Sequence, residues 1–223
     1  MKKSITILFW MTVTSASAQV NFTNPDEAAV VSYQTKEIDM SNVKTQGTPY
    51  LDEVFKPGQI YMYGKAKITG QLRYNAFSSE IELRKNQTEY TVILKRNYIS
   101  ARIGDKRYKL YPYVDETNGS TRTGYFTPLN EGRVALLFKP EKRLRRGRAP
   151  ATNYDRLVPP RFIDVSSYYV QIGEEPAKKV YLRKKDFYKL LGKDETQSYI
   201  RDNDLKLRKV EDVIKLLEHY NQK

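Results

Sequence analysis

The sequence predicts an α+β protein, in which a mostly antiparallel β-sheet is followed by a small C-terminal helical appendix. Apolar residues recur with period two from about residue 47 to residue 183, which is typical of half-buried strands. From residue 184 the period lengthens to that of amphipathic helices. Short polar turns separate the strand patterns, which favours an antiparallel sheet arranged as a meander, a sandwich or a half-open barrel.

The first 18 residues predict a cleavable secretory signal peptide. Lys2 and Lys3 supply a positive start, an apolar stretch follows over residues 5–13, and residues 16–18 form an Ala-Ser-Ala cleavage site. The apolar stretch is shorter than the roughly 20 residues that span a bilayer. We therefore expect an exported, soluble protein. No cysteine follows the cleavage site, so we expect no lipoprotein.

The next segment, residues 19–46, is polar with few turn signals, and we interpret it as a flexible N-terminal arm in which only residues 28–33 suit a short strand. The β domain is expected over residues 47–183. Its predicted strands lie at residues 60–63, 72–74, 80–84, 90–94, 99–103, 108–111, 124–126, 134–138, 168–172 and 180–182.

One strand shows the alternation most clearly. Side chains alternate between the two faces of a strand, so Glu80 and Glu82 are expected on the face opposite Ile81 and Leu83. That pattern indicates a solvated acidic face. A turn is predicted before the first strand, with Gly58 at positive φ after Pro57. Further turns are predicted at residues 75–79, 85–87, 104–106, 118–119 and 130–132.

The last part of the chain, residues 184–223, predicts three helices. The first runs to Leu191 and is ended by Gly192, and Asp194 is the expected N-cap of the second. The third carries an apolar stripe that includes Val213 and Leu217, which predicts packing of the appendix on the sheet.

Catalytic signatures are scarce. The chain has no cysteine, which excludes thiol catalysis, zinc sites built on cysteine and iron–sulfur clusters. Its one histidine, His219, is four residues from the C-terminus, where we expect a surface residue. We predict no catalytic residue, no cofactor and no metal site, and expect no enzymatic role. A carboxylate-dependent hydrolase stays open as an alternative, because glycosidases need only two suitably placed acids.

A basic loop over residues 140–161 is the sharpest local feature. Arginine binds phosphate and carboxylate groups through two parallel hydrogen bonds, so the loop is a candidate partner-binding site. The alternative is a solvated insertion held extended by its own charge. The candidate residues are Lys142, Arg143, Arg145, Arg146, Arg148, Tyr154, Arg156 and Arg161.

The formal net charge of +13 favours polyanionic partners. Because export removes the protein from the cytoplasm, we expect no nucleic acid among them. An envelope protein or an anionic envelope polymer or lipid is expected instead, and peripheral contact with a membrane surface fits the charge.

Two parts of the chain are similar to uncharacterised exported proteins common in Bacteroidota. The N-terminal part comprises residues 47–58 (GTPYLDEVFKPG), 72–77 (LRYNAF) and 80–82 (EIE). The C-terminal part comprises residues 184–191 (KKDFYKLL), 199–200, 205–207 and 211–217. The resemblance implies a Gram-negative envelope location but no established activity. The helical ending is unlike a β-rich sorting domain, which favours retention in the periplasm.

These observations lead to three expectations of function. The first is a non-enzymatic periplasmic protein that binds an anionic or outer-membrane-associated partner in an accessory or scaffold role. The second is a carboxylate-dependent hydrolase of cell-wall glycans, with two acids converging in a cleft. The third is a β-barrel carrier of a lipid or lipoprotein chain, with a large apolar cavity.

Overall fold

The computed structural model describes residues 31–37, 45–148 and 158–223. The predicted signal peptide, the first part of the predicted arm, Tyr154 and Arg156 lie outside these residues. The predicted fold class is confirmed: a mostly antiparallel sheet that does not close on itself is followed by three helices.

Eleven of the thirteen described strands form one sheet, in the order β1-β5-β4-β3-β2-β6-β7-β8-β9-β12-β13. Strands β10 and β11 form a separate two-stranded sheet. The strands are β1 (Val31–Glu37), β2 (Lys56–Met62), β3 (Lys65–Asn75), β4 (Glu80–Arg84), β5 (Glu89–Ile93), β6 (Ile99–Ile103), β7 (Lys106–Val114), β8 (Thr121–Pro128), β9 (Val134–Lys139), β10 (Lys142–Arg145), β11 (Arg161–Asp164), β12 (Ser167–Ile172) and β13 (Lys178–Val180).

Strand β1 lies within the segment that the sequence predicted as a flexible arm. It pairs antiparallel with β5 and forms one edge of the large sheet, with Thr35 opposite Thr91. Its sequence, VSYQTKE, combines β-branched and aromatic residues with polar ones, a composition that suits an edge strand. The short strand expected at residues 28–33 overlaps the start of β1, but the prediction of a flexible arm does not describe residues 31–37.

One face of strands β2 to β7 carries an extensive apolar cluster. Ile60, Leu72 and Leu83 are fully buried there. The rings of Tyr74 and Tyr108 stack in the same cluster with centroids 4.8 Å apart, and Tyr125 meets Tyr74 edge-on. Side chains thus fill the space beneath this part of the sheet.

The predicted turn at residues 56–58 is wrong, because these residues begin β2. A Cβ atom on Gly58 would overlap the carbonyl oxygen of Arg102 and lie 2.7 Å from Cδ1 of Leu72. Glycine is needed at this position because neighbouring strands approach closely, and not because of a positive φ.

The helices are α1 (Lys184–Leu191), α2 (Lys193–Asp202) and α3 (Val210–Asn221). Gly192 ends α1, as predicted, with φ of 91°. It also directly precedes α2, so Asp194 lies inside the first turn and is not the N-cap. Glycine closes one helix and opens the next without a linker.

Helix α3 packs its apolar stripe on strands β9, β12 and β13. Val213, Leu216 and Leu217 are fully buried against Val134 and Leu136. At the end of the helix, the amide oxygen of Asn221 accepts a hydrogen bond of 2.7 Å from the backbone N–H of Val134. The appendix therefore completes a second core. Within the described ranges, no helix has the length and apolar character needed to cross a membrane.

Candidate binding site on the arginine ribbon

Strands β10 and β11, which we call the arginine ribbon, contain both ends of the segment predicted as a basic loop. Arg145 pairs directly with Arg161, and Arg143 pairs with Ile163. Since side chains alternate along a strand, Arg143, Arg145 and Arg161 share one face of the ribbon. The sequence indicated an extended loop here because a four-residue strand with mostly basic side chains has no apolar period.

The opposite face of the ribbon holds it on the body of the protein. Leu144 pairs with Phe162 on that face, and the ring of Phe162 meets that of Phe77 edge-on with centroids 5.3 Å apart. The backbone N–H of Lys142 donates to the carbonyl oxygen of Ala76 at 3.0 Å. The arginine face is therefore presented on an anchored element.

The charges on the ribbon are poorly matched by acids. Arg143 contacts Glu141 at 3.3 Å with most of its side chain in solvent. Within the described ranges, the remaining arginines are exposed and form no ion pair. They are Arg145, Arg146, Arg148 and Arg161.

Lys142 differs from these arginines, because it lies opposite Asp164 and is only half-exposed. Burial raises the pKa of Asp164, but hydrogen bonds from Ser166 and the charge of Lys142 outweigh that effect and lower the pKa overall. Asp164 is therefore an anion at neutral pH that offsets Lys142, whereas no acid pairs with Arg145, Arg146, Arg148 and Arg161 in the described ranges.

The direct pairing of Arg145 with Arg161 is unfavourable in the free protein. Directly opposed residues of an antiparallel pair have Cα atoms about 4.5–5.5 Å apart, and like charges there destabilise the pairing. A bound anion would remove that repulsion and accept hydrogen bonds from both guanidinium groups.

The structure thus brings most of the predicted site residues together. Lys142, Arg143 and Arg145 lie on β10, Arg161 lies on β11, and Arg146 and Arg148 follow β10. Arg148 extends the pairing through an isolated bridge to Val158.

A charged cleft of about 220 Å³, which the sequence did not reveal, shares Arg143 and Glu141 with the end of the ribbon. Its other charged residues lie on β8, β9 and β13 and in the turn between β7 and β8. No single local motif therefore marks the cleft. The charged residues form ion pairs across it. Arg122 contacts Asp115 at 3.0 Å, Lys179 contacts Glu116 at 2.9 Å, and Lys139 contacts Glu141.

Hydrogen bonds and ion pairs determine the protonation states of the charged residues in the cleft. Hydrogen bonds from Thr117, first from its backbone N–H, hold the pKa of Asp115 below its usual range. A hydrogen bond to Glu116 raises the pKa of Lys179, and burial raises that of Tyr169 to about 12. At neutral pH Asp115 is ionised and Lys179 protonated, which suits electrostatic recognition better than proton transfer.

The prediction that the acidic face of β4 is solvated is wrong for Glu82, a residue that is 0% exposed. Residues 50–55 cross that face. The ring centroids of Tyr50 and Phe55 lie 3.5 and 4.2 Å from Cζ of the Arg73 guanidinium, which the two rings cover. Arg73 donates to Oε2 of Glu82 at 2.7 Å. Burial raises the pKa of Glu82, although Arg73 opposes the shift.

His219, the histidine expected at the surface, stacks on Tyr199 with ring centroids 3.9 Å apart. In the part of the chain that the structure describes, no group of three or more His, Cys, Asp or Glu side chains is placed to hold a metal ion. Comparisons of the chain with protein-family models, with curated proteins and with solved structures each found no match.

Proposed function

We propose that the chain is a non-enzymatic periplasmic envelope protein that binds an anionic, outer-membrane-associated partner through the arginine ribbon. The observation that carries the proposal is the direct pairing of Arg145 with Arg161, both exposed and without an acidic partner in the described ranges. Such an arrangement costs stability unless an anion is bound, so it is better explained by binding than by folding.

The kind of partner follows from the arginine side chains and from the expected compartment. Guanidinium groups favour phosphate and carboxylate oxygens, which they can bind in pairs. The predicted signal peptide and the resemblance to exported proteins support an envelope location, and the net charge of +13 adds a long-range attraction to anionic surfaces. Phosphorylated lipopolysaccharide and the acidic surfaces of envelope proteins carry these groups.

Two other functions have less support from the geometry. A glycan hydrolase needs an acid that is kept protonated beside the substrate. In the charged cleft each acid is ion-paired, while Glu82, whose pKa is raised, is buried under Arg73 and Tyr50. A lipid carrier needs an apolar cavity, whereas the tyrosine rings of Tyr74 and Tyr108 fill the space beneath β2 to β7.

The proposal is tested by replacing Arg145 and Arg161 together with serine. Binding to vesicles that contain lipopolysaccharide should weaken at least about tenfold, and its salt dependence should become shallower because fewer charges are screened. The matched control replaces Arg201 and Arg208, two exposed arginines of the helical appendix, and removes the same charge. Binding is measured by co-sedimentation at several salt concentrations.

If both double variants weaken binding equally, net charge and not the ribbon is responsible. If neither double variant binds the vesicles, or proteins from an envelope extract, more weakly than the original protein does, the ribbon is not a contact site. Crosslinking in cells from a residue next to Arg145, followed by identification of the captured molecule, would name the partner.

A further inference from the structure

The turn between β2 and β3 has an unusual residue at its tip. Met62 pairs with Lys65, so the loop consists of Tyr63 and Gly64, with φ of 50° and 76°. Two positive φ values are typical of a type I′ hairpin turn, which favours Asn-Gly or Gly-Gly. A bulky aromatic residue at positive φ is an outlier, and such strain concentrates at functional positions.

Burial of the ring does not compensate for this strain, because Tyr63 is 73% exposed. Its ring stacks on that of Tyr98 with centroids 4.7 Å apart and planes 8° apart, and Tyr98 is itself 38% exposed. The backbone N–H of Tyr63 donates to the carbonyl oxygen of Tyr98 at 2.9 Å. The two loops therefore hold a stacked pair of tyrosine rings, and the outer face of the Tyr63 ring is an aromatic platform open to solvent.

A cleft of about 390 Å³ lies beside this platform, within the size range of about 300–1,000 Å³ for small-ligand sites. The residues with polar side chains that line it are Asn97, Ser100, Lys109 and Tyr111, besides the two stacked tyrosines. The lining contains no carboxylate and shares no residue with the arginine ribbon or the charged cleft.

We propose that this platform and cleft form a carbohydrate-binding site. The C–H groups of a sugar ring carry partial positive charge and pack on the negative face of an aromatic ring. Asn97, Ser100 and Lys109 supply donors and acceptors for the hydroxyl groups around the sugar. The site is independent of the arginine ribbon and gives the protein a second, largely uncharged ligand.

A peptide fits the site less well. Strand addition needs a free sheet edge, whereas β2 lies between β3 and β6 inside the sheet. Recognition of proline-rich segments uses a groove lined by aromatic side chains. Here Tyr63 and Tyr98 stack on each other and leave no groove between their rings. The outer face of the highly exposed Tyr63 ring suits the face of a sugar ring.

The test uses the whole secreted chain with ¹³C-labelled tyrosine rings, followed by NMR. The probes are chitotriose, xylotriose, maltotriose and an octaproline peptide, each at about 10 mM, where a Kd of about 1 mM leaves most sites filled. We expect at least one trisaccharide to shift the Tyr63 and Tyr98 resonances and octaproline to leave them unchanged.

The decisive variant is Tyr63→Asn. Asparagine tolerates positive φ better than tyrosine, so the variant should fold with an unchanged or higher Tm while trisaccharide affinity falls at least about tenfold. The control is Tyr181→Asn, at an exposed tyrosine that is not part of the cleft. The proposal is overturned if no trisaccharide shifts the two resonances, if only octaproline does so, or if Tyr63→Asn binds like the original protein.

Discussion

Glu82 and Arg73 form a buried ion pair that other residues shield from solvent. Arg73 forms two hydrogen bonds to Oε2 of Glu82 and one of 3.0 Å to the backbone oxygen of Glu53, while Tyr50 and Phe55 stack on its guanidinium. The pair therefore attaches the segment that precedes β2 to the outer face of β3 and β4. Breaking a buried ion pair leaves one charge without compensation.

The replacement Glu82→Ala should lower the free energy of unfolding by about 3–5 kcal/mol, because Arg73 would stay buried without its anion. Glu82→Gln also removes the anion but should cost less than Glu82→Ala, since the amide keeps the volume and one acceptor for Arg73. Urea unfolding followed by circular dichroism measures both. Glu174→Gln, at an exposed position, is the control and should change stability by less than about 0.5 kcal/mol. Equal losses for the alanine and control variants would contradict the structural role of the pair.

The sequence predicted the face of Glu82 correctly but not its environment. Alternation along β4 separates Glu82 from Ile81 and Leu83, and that separation is present. What covers the acidic face depends on where residues 50–55 cross the sheet, and no local period records that path. The same limit applies to the charged cleft, where the pairing of Lys179 with Glu116 joins residues 63 positions apart in the sequence.

At the scale of elements, Gly58 and Gly70 offer a matched pair, because they face each other across β2 and β3. A Cβ on Gly58 would meet the rigid backbone of Arg102, whereas one on Gly70 would meet only the terminal methyl of Leu83 at 2.7 Å. Backbone cannot move aside as a side-chain end can. The two positions should therefore respond differently to the same change.

Gly58→Ala should lower the free energy of unfolding by about 1–3 kcal/mol, the usual range for overpacking, and Gly70→Ala should lower it less. Thermal unfolding of the two variants gives the comparison directly. If Gly70→Ala is the more damaging of the two, the close approach of β2 to β6 is not the reason for glycine at position 58.

Elements with an apolar period were predictable from sequence, and mostly polar ones were not. The apolar stripe of α3 and the polar–apolar alternation of β4 identify these elements because burial on one face selects apolar residues at a fixed spacing. Strand β1 and the arginine ribbon carry mostly polar side chains. Their strands form through backbone pairing with partners elsewhere in the chain, which a local pattern cannot specify.

At the scale of the whole molecule, the sheet and the helical appendix share one core. Strands β9, β12 and β13 contribute Val134, Leu136, Val170 and Val180 to the cluster that α3 covers. Removing the helix would expose that apolar face to water, so neither part is expected to stay folded without the other. We therefore predict that helix and sheet unfold in a single transition.

Leu216→Ala tests this coupling, because Leu216 is fully buried between α3 and the sheet. The lost burial and the cavity should lower the free energy of unfolding by about 2–5 kcal/mol. Helical circular dichroism and the near-ultraviolet signal of the buried tyrosines, which lie mainly in the sheet, should shift to the same lower midpoint. Lys215→Ala, one residue away on the exposed side, should leave both midpoints nearly unchanged. If the helical signal is lost at a lower midpoint than the tyrosine signal, the appendix unfolds alone. The sheet then does not need the helix in order to stay folded.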